Sequence, residues 1–354
     1  MGSTPTKEEK MSDKKLRAGI MGLGMGQGHA GAYLNNPNVE LVAICDKDQD
    51  WLKHCKDAWG VKYAFNTWEE VAACDELDLV SVCLPTIFHD PATIASLKSG
   101  KHVLCEKPMA MNHERAQAMA DAAKETGKML MVSYNQRFGS DIQYLKKYIE
   151  EGHLGDIYFV RTAWRRAMGA FPQADAVRAT GHYSRNWFNE KKMGGGAASD
   201  LGSHVVDLAM YLTGFPKVKQ VVGTAYNKFL PEVLKSYGVE SDADDHSVGF
   251  VKFENGMSMQ VEASYGSYIE HEKILQAIYG DKGGAHREIG QPVKLFTRTT
   301  GQYSTIMPRI DLPATTPMDH FVECILQGKT PIITPEQGVA VTQILDGIYK
   351  STGE

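Results

Sequence analysis

Asp200 and His204 stand four residues apart in the run Gly194-Gly195-Gly196-Ala197-Ala198-Ser199-Asp200-Leu201-Gly202-Ser203-His204. On a helix, side chains at that spacing are neighbours, with about 5–6 Å between Cβ atoms. A carboxylate that fixes and charges a histidine suits general acid–base chemistry. The pair admits two plainer readings: Asp200 capping a helix beside a satisfied histidine, or two ligands of a zinc ion. Zinc needs three or four ligands and the chain offers no clear third, so no metal is expected. Asp207 and Tyr211 continue the stripe, while Val205, Leu208, Ala209 and Leu212 form an adjacent apolar stripe suited to packing on a sheet. A second group is Glu106-Lys107-Pro108. Lysine has a reference pKa of about 10.4, so it needs desolvation or a nearby cation to exchange a proton with a substrate hydroxyl near neutrality. The plainer reading is a surface lysine before a turn proline. The third group is Trp164-Arg165-Arg166, with Tyr183 and Trp187 further on. Arginine gives fixed donors and aromatics give flat apolar walls, a mix that suits a sugar or polyol and equally the rim of a two-domain crevice.

Such side chains need a frame, and its clearest sign is Met21-Gly22-Leu23-Gly24-Met25-Gly26-Gln27-Gly28-His29. It follows a short, mostly apolar run, Leu16-Arg17-Ala18-Gly19-Ile20, and leads into a helical stretch. Glycines there let the backbone turn tightly, and a helix N-terminus offers free N–H groups to a pyrophosphate. The dinucleotide pattern is G-x-G-x-x-G. Gly22 and Gly24 fit it, but its third position is Gln27, so Gly22, Gly24, Met25 and Gly26 read as a turn one residue shorter or differently shaped. A ligand-free surface turn is the alternative. Asp46 ends the apolar run Val39–Cys45, 24 residues after Gly22. An acid about 20 residues on accepts hydrogen bonds from the adenosine ribose and repels a 2′-phosphate. NAD is therefore favoured, with NADP left open by the cation of Lys47. The competing reading of Asp46 is a helix N-cap.

From residue 16 to about 133, strand-like and helical runs alternate. The strands expected are Leu16–Gly22, Glu40–Cys45, Leu77–Leu84, His102–Cys105 and Met129–Ser133, with a weaker one at Tyr63–Phe65. Thr67 with Glu70 makes a capping box, and a further helix is expected from Asn112 to near Gly127. Alternation of this kind predicts a doubly wound parallel sheet. After Asn135 the rhythm changes. A helix near Asp141–Glu151 leads to a strand Ile157–Trp164, an irregular stretch to Gly196 and a helix from about Gly202 to Leu212. Strands Val218–Tyr226, Ser247–Glu254, Met257–Tyr265 and Lys273–Tyr279 follow, with Glu254-Asn255-Gly256 as a tight hairpin. Helices near Pro317–Gln327 and Pro335–Ser351 come last. The expected organisation is a polar tail or cloning scar at 1–15, a cofactor-binding unit at 16–133, and a unit at 134–354 built on a large, mainly antiparallel open sheet.

At 354 residues the chain exceeds what one core usually supports. A net charge of −5 and the lack of a basic tract argue against nucleic acid. No apolar run approaches the roughly 20 residues of a membrane span, and no secretory signal is evident. The six cysteines form no C-x-x-C pair, which fits a reducing cytoplasm.

In order along the chain, these pieces resemble the glucose–fructose oxidoreductase / inositol dehydrogenase / rhizopine-catabolism (Gfo/Idh/MocA) family. The resemblance rests on Gly22–His29, Cys83-Leu84-Pro85-Thr86 with His89, and Gly100-Lys101-His102-Val103 through Glu106-Lys107-Pro108. It continues through Asn135-Gln136-Arg137-Phe138 and Gly194-Gly195-Gly196 to Asp200, Gly202, His204 and Asp207. It implies a Rossmann domain plus a large α/β domain whose open sheet makes a dimer or tetramer. It implies hydride transfer between NAD(P) and a secondary alcohol or ketone of a sugar, polyol or glycoside. Carried onto this chain, Lys107, Asp200 and His204 become the catalytic set, with His204 oriented by Asp200. Pro85, Thr86, His89, Glu106, Lys107 and Asn135 join the cofactor contacts, and Lys107, Trp164, Arg165, Tyr183, Trp187, Asp200 and His204 become the substrate contacts. The Lys107–Pro108 bond is expected to be cis. Two rivals share these residues or the fold: an enzyme that keeps NAD bound and cleaves a glycoside through a transient keto-sugar, and a non-enzymatic NAD-binding sensor.

Overall fold

The computed structural model describes residues 15–168, 186–235, 240–313 and 315–353. Its first sheet is wholly parallel, in the order β3-β2-β1-β4-β5-β6. The strands are β1 (Leu16–Met21), β2 (Val39–Cys45), β3 (Tyr63–Phe65), β4 (Leu79–Val82), β5 (His102–Cys105) and β6 (Leu130–Val132). Every residue of β4 and β6 is buried, as strands covered by helices on both faces must be. The covering helices are α1 (Gly26–Asn35), α2 (Gln49–Trp59), α3 (Trp68–Ala73), α4 (His89–Lys98) and α5 (His113–Thr126). Their ends follow local chemistry. Thr67 and Glu70 form the capping box of α3, Asn112 caps α5, and Gly127 at φ +65° ends it. The sheet's order reverses between β1 and β4, the place where open α/β sheets leave a crevice.

The second sheet has eight strands in the order β14-β13-β12-β11-β7-β10-β9-β8. These are β7 (Ile157–Ala167), β8 (Val218–Tyr226), β9 (His246–Phe253), β10 (Ser258–Ser267), β11 (Lys273–Gly280), β12 (Gly284–Glu288), β13 (Lys294–Thr299) and β14 (Gln302–Ile306). All neighbours pair antiparallel except β7 and β10, which run parallel. Gly256, at φ +89°, makes the β9–β10 hairpin. The strands β12 to β14 and the short helix α8 (Leu230–Lys235) were not expected from the sequence, and β7 runs three residues past Trp164, to Ala167. The last two strands are mostly exposed, so they lack the apolar alternation that announces a half-buried strand.

The remaining helices are α6 (Ser140–Glu150), α7 (Ser203–Thr213), α9 (Pro317–Gln327) and α10 (Pro335–Ser351). Helix α7 is buried at every residue from Ser203 to Met210, not along one stripe, because it lies between the second sheet and helices α6 and α10. Helix α10 packs on β8 and on α5 and so joins the two halves. Arg137, fully buried, ties the second half together: it donates to both oxygens of Asp207 at 2.6–3.1 Å, to the Ile332 carbonyl at 2.9 Å and to Gln337 at 2.6 Å. All six cysteines are free thiols. No helix among the described residues is long and apolar enough to cross a membrane.

Candidate active site

The glycine turn sits where β1 ends. Gly22 has φ +88°, and a Cβ there would lie 2.6 Å from the Cys83 carbonyl oxygen, so no other residue fits. A Cβ on Gly26, the first residue of α1, would lie 2.7 Å from Ile20 Cγ2, and the helix therefore rests tightly on β1. The turn is one residue shorter than the usual pattern: Gly26 is the close-packing glycine, and Gly28 has open space at its Cβ position. Exposed Met25 precedes α1 without a side-chain cap, and Gly24 lies beside it; Gly28 N–H turns back to the Met25 carbonyl at 3.1 Å, and the N–H groups ahead of it in the first turn are left for an anion. Asp46, just past β2, accepts from Leu23 N at 2.8 Å and from Asp48 N at 3.0 Å. Asp48, not Asp46, caps α2. Asp46 thus braces the glycine turn, with exposed Lys47 beside it.

The other expected cofactor residues gather at the ends of β4, β5 and β6. Pro85 precedes a single 3-10 turn, Thr86–Phe88, in which Thr86 is buried and its Oγ1 has no hydrogen-bond partner. A Cβ on Gly194, at φ +86°, would lie 2.5 Å from Thr86 Cβ, so the glycine run meets this strand end directly. Asn135 is exposed at the start of another single turn, Asn135–Phe138. His89 departs from expectation. Its ring nitrogens lie 2.8 Å from the Pro108 carbonyl and 2.7 Å from the Leu84 carbonyl, and it is 1% exposed. It ties two strand ends together and offers no nitrogen to a cofactor. The switch-point crevice, the glycine cradle and the uncapped helix start together fit a dinucleotide.

Lys107 follows Glu106 off β5, and its bond to Pro108 is cis. Its Nζ lies 2.5 Å from Asp200 Oδ1 and 3.5 Å from the Asp200 carbonyl, with both side chains largely buried. Burial alone would raise the Asp200 carboxyl, but the Lys107 ammonium holds it below its ordinary range. Burial would likewise raise Glu106, but its hydrogen bond from His29 and the Lys107 charge hold it down, at about 2. Burial pushes the His204 imidazole down, and Lys107 pushes it further, to about 3, against the opposing pull of Asp200. His204 is therefore neutral near pH 7. Its ring lies 5.4 Å from Trp164, and its Nδ1 has no hydrogen-bond partner.

The expectation that Asp200 orients His204 is corrected: the carboxylate turns to Lys107. Asp200 sits in one turn of π-helix, Ala198–Gly202, ahead of α7. The two side chains remain close enough for the carboxylate to pull the imidazole pKa up against burial, but the hydrogen-bond partner of Asp200 is Lys107. Asp200 also does not cap the helix, whose first turn has no side-chain cap hydrogen bond. Asp207, continuing the sequence stripe, goes to Arg137 instead of the site.

Residues on β7 alternate between faces. Thr162 and Trp164 face α7: Thr162 Oγ1 donates to the Val205 carbonyl and Trp164 meets His204. Arg165 points to the opposite face, where its Nε is 3.6 Å from Glu262, so it is not a site residue as expected. Arg166 is on the site face, with its guanidinium 5.5 Å from the Trp164 ring and its Nε 3.5 Å from Glu272. Trp164 Nε1 also donates to Glu272, at 2.7 Å. Tyr183 lies outside the described residues, as does the side chain of Trp187, whose backbone is in the short turn Asn186–Asn189.

Two residues unmarked in the sequence hold the π turn. Asp244, buried before β9, accepts from Ala198 N at 2.9 Å, Ser247 Oγ at 2.6 Å and Tyr349 Oη at 2.8 Å. Tyr349, on α10, accepts in turn from Ser199 N at 3.1 Å. A Cβ on Gly196, at φ +122°, would lie 2.0 Å from Asp244 Oδ1, which explains that glycine. Nothing separates Asp244 by type from Asp242 and Asp245 beside it in the chain.

Residues 16–134 match the oxidoreductase family with an NAD-binding Rossmann fold, and residues 142–286 match the GFO/IDH/MocA C-terminal domain. The chain is 32% identical over 354 residues to D-glucoside 3-dehydrogenase of Escherichia coli strain K12, covering 96% of each. It is 28% identical over 296 residues to levoglucosan dehydrogenase of Pseudarthrobacter phenanthrenivorans, covering 76% of this chain and 73% of that one. A solved levoglucosan dehydrogenase in complex with NADH and levoglucosan shares the fold, with a TM-score of 0.81 at 24% identity over 96% of this chain and 97% of that one. With both halves matched and a relative this similar along nearly its whole length, the chain belongs to the GFO/IDH/MocA family of NAD-binding oxidoreductases.

Proposed function

We propose that this protein is an NAD(P)-dependent dehydrogenase that moves a hydride between the nicotinamide and a secondary alcohol or ketone of a sugar, polyol or glycoside. The observation that carries it is the Lys107–Asp200 pair beside neutral His204, set at the strand ends next to a dinucleotide cradle. Gly22, Gly24, Met25 and Gly26 hold the diphosphate, and Asp46 faces the adenosine ribose. Pro85, Thr86, Glu106 and Asn135 line the way to the nicotinamide end. When bound, the cofactor supplies the hydride acceptor. Asp200 fixes Lys107, whose ammonium donates to the substrate oxygen and stabilises the charge that develops there. His204, kept neutral, accepts the hydroxyl proton. Trp164 gives a flat wall and Arg166 fixed donors for the remaining hydroxyls. The relatives' names, glucosides and levoglucosan among their substrates, support a neutral sugar or glycoside.

The test is a screen of sugars, inositols and glycosides with NAD and NADP, following absorbance of the reduced nicotinamide alongside product analysis. Accumulation of NADH with a keto-sugar supports the reading. Release of an aglycone without NADH points to glycoside cleavage, and neither product across the panel sinks it. The free thiols suit work in a reducing cytoplasm. The open face of the second sheet exposes Val222, Phe250, Tyr279 and Phe296, which suits a dimer or tetramer through that face. A monomer mass by light scattering would remove that assembly.

A further inference from the structure

His29 belongs to the glycine motif, yet no role in turn or helix packing explains a histidine there. It is 3% exposed on α1. Its Nε2 lies 3.0 Å from Glu106 Oε1, and its Nδ1 lies 2.9 Å from Ser81 Oγ. Ser81 Oγ in turn lies 2.7 Å from the Tyr33 hydroxyl, one helical turn further along α1. The second oxygen of Glu106 accepts from the backbone N–H of Lys107 at 3.2 Å.

Counting donors sets the direction of this chain. An ionised carboxylate only accepts, so His29 Nε2 carries a hydrogen and donates it to Glu106. At Nδ1 the ring meets Ser81 Oγ, which takes the Tyr33 phenol hydrogen. Every member is satisfied. Burial keeps that phenol protonated, which agrees with its role as the first donor.

We propose that His29 is a positioning residue, whose imidazole ties the helix that starts at the glycine turn to the Glu106 carboxylate and so holds cofactor cradle and Lys107 in one register. The proposal rests on the dehydrogenase reading. Glu106 joins the two because it receives His29 on one oxygen and the peptide of Lys107 on the other. Loss of the imidazole frees the carboxylate to rotate, which disturbs both the nicotinamide end of the cradle and the backbone that carries the ammonium.

The test uses the whole protein and two separate readings: the NADH dissociation constant, by energy transfer from protein fluorescence, and kcat and KM with the sugar found in the screen. In His29→Leu, NADH binding weakens about tenfold and kcat falls about tenfold, while KM for the sugar stays, as expected for one lost hydrogen bond to a charged group. His29→Gln, whose amide nitrogen donates to Glu106, returns both to within about threefold of the wild type. His29→Asn is polar but too short to reach Glu106, so it behaves as the leucine variant and replaces it if that protein does not fold. Wild-type values in the leucine or asparagine variant overturn the proposal. Equal impairment of the leucine and glutamine variants also overturns it, since the role would then be packing. A wild-type protein that does not bind NADH sinks the dehydrogenase reading instead.

Discussion

In the proposed mechanism Lys107 and His204 divide the acid–base work by their surroundings. One is paired with a carboxylate and the other is kept neutral by burial and by its cationic neighbour. Lys107→Met should lower kcat by about 10²–10⁴-fold, the usual worth of a positioned proton-transfer group. His204→Asn should do the same in steady-state assays. Near-full turnover in both variants would end this assignment. The depressed His204 pKa also predicts a pH effect on stability. Its folded value of about 3 lies below the ordinary 6.5, so the unfolded chain binds more protons between them. The stabilisation is complete above pH 6.5 and is lost as the pH falls toward 3. At pH 5 the loss is about 2 kcal/mol relative to pH 7. His204→Asn should therefore lose less melting temperature than the wild type between pH 7 and 5, and parallel melting curves would refute the shift. The candidates Lys107, Asp200 and His204 were legible by type and order. Where they point was not: Arg165 and Arg166 are one step apart on a strand, and only pairing with β10 and β11 decides which one faces His204.

The π turn before α7 is the element that makes the site. It carries Asp200 beside Lys107, and its backbone is held by Asp244 and Tyr349 from two distant parts of the chain. Tyr349→Phe removes a donor to a buried carboxylate and the acceptor for Ser199 N–H. The expected loss is about 1.5–3 kcal/mol by thermal or denaturant melting, with a fall in kcat because the Asp200 turn loosens. An unchanged melt would show that the clasp contributes nothing. The i, i+4 spacing of Asp200 and His204 marks them as neighbours but carries no record of Lys107, 93 residues away, which takes the carboxylate. By contrast, the capping box at Thr67, the cap at Asn112 and the hairpin at Gly256 were readable, since each is decided by residues within a few positions of one another.

Across the whole molecule, helix α10 joins the two halves, and Arg137 ties the second half together through a guanidinium that meets Asp207 where water does not reach. Arg137→Met leaves a buried carboxylate unpaired and should destabilise by about 3–5 kcal/mol in denaturant titrations. The double variant with Asp207→Leu should recover most of that loss, and no recovery would mean that Arg137 acts through its bonds to Ile332 and Gln337 instead. The sequence alone determined the alternation of buried strands and helices, the glycine turn, the family and the identities of Lys107, Asp200 and His204. Those features are local or ordered along the chain, and short-range sterics and hydrophobic period specify them. The tertiary structure decided that Asp200 serves Lys107, that His89 is a brace, that Asp46 holds the turn, and that His29 reaches Glu106 77 residues away. Each of those contacts joins segments far apart in the chain, and a hydrogen bond between them exists only after both sheets have set the distances.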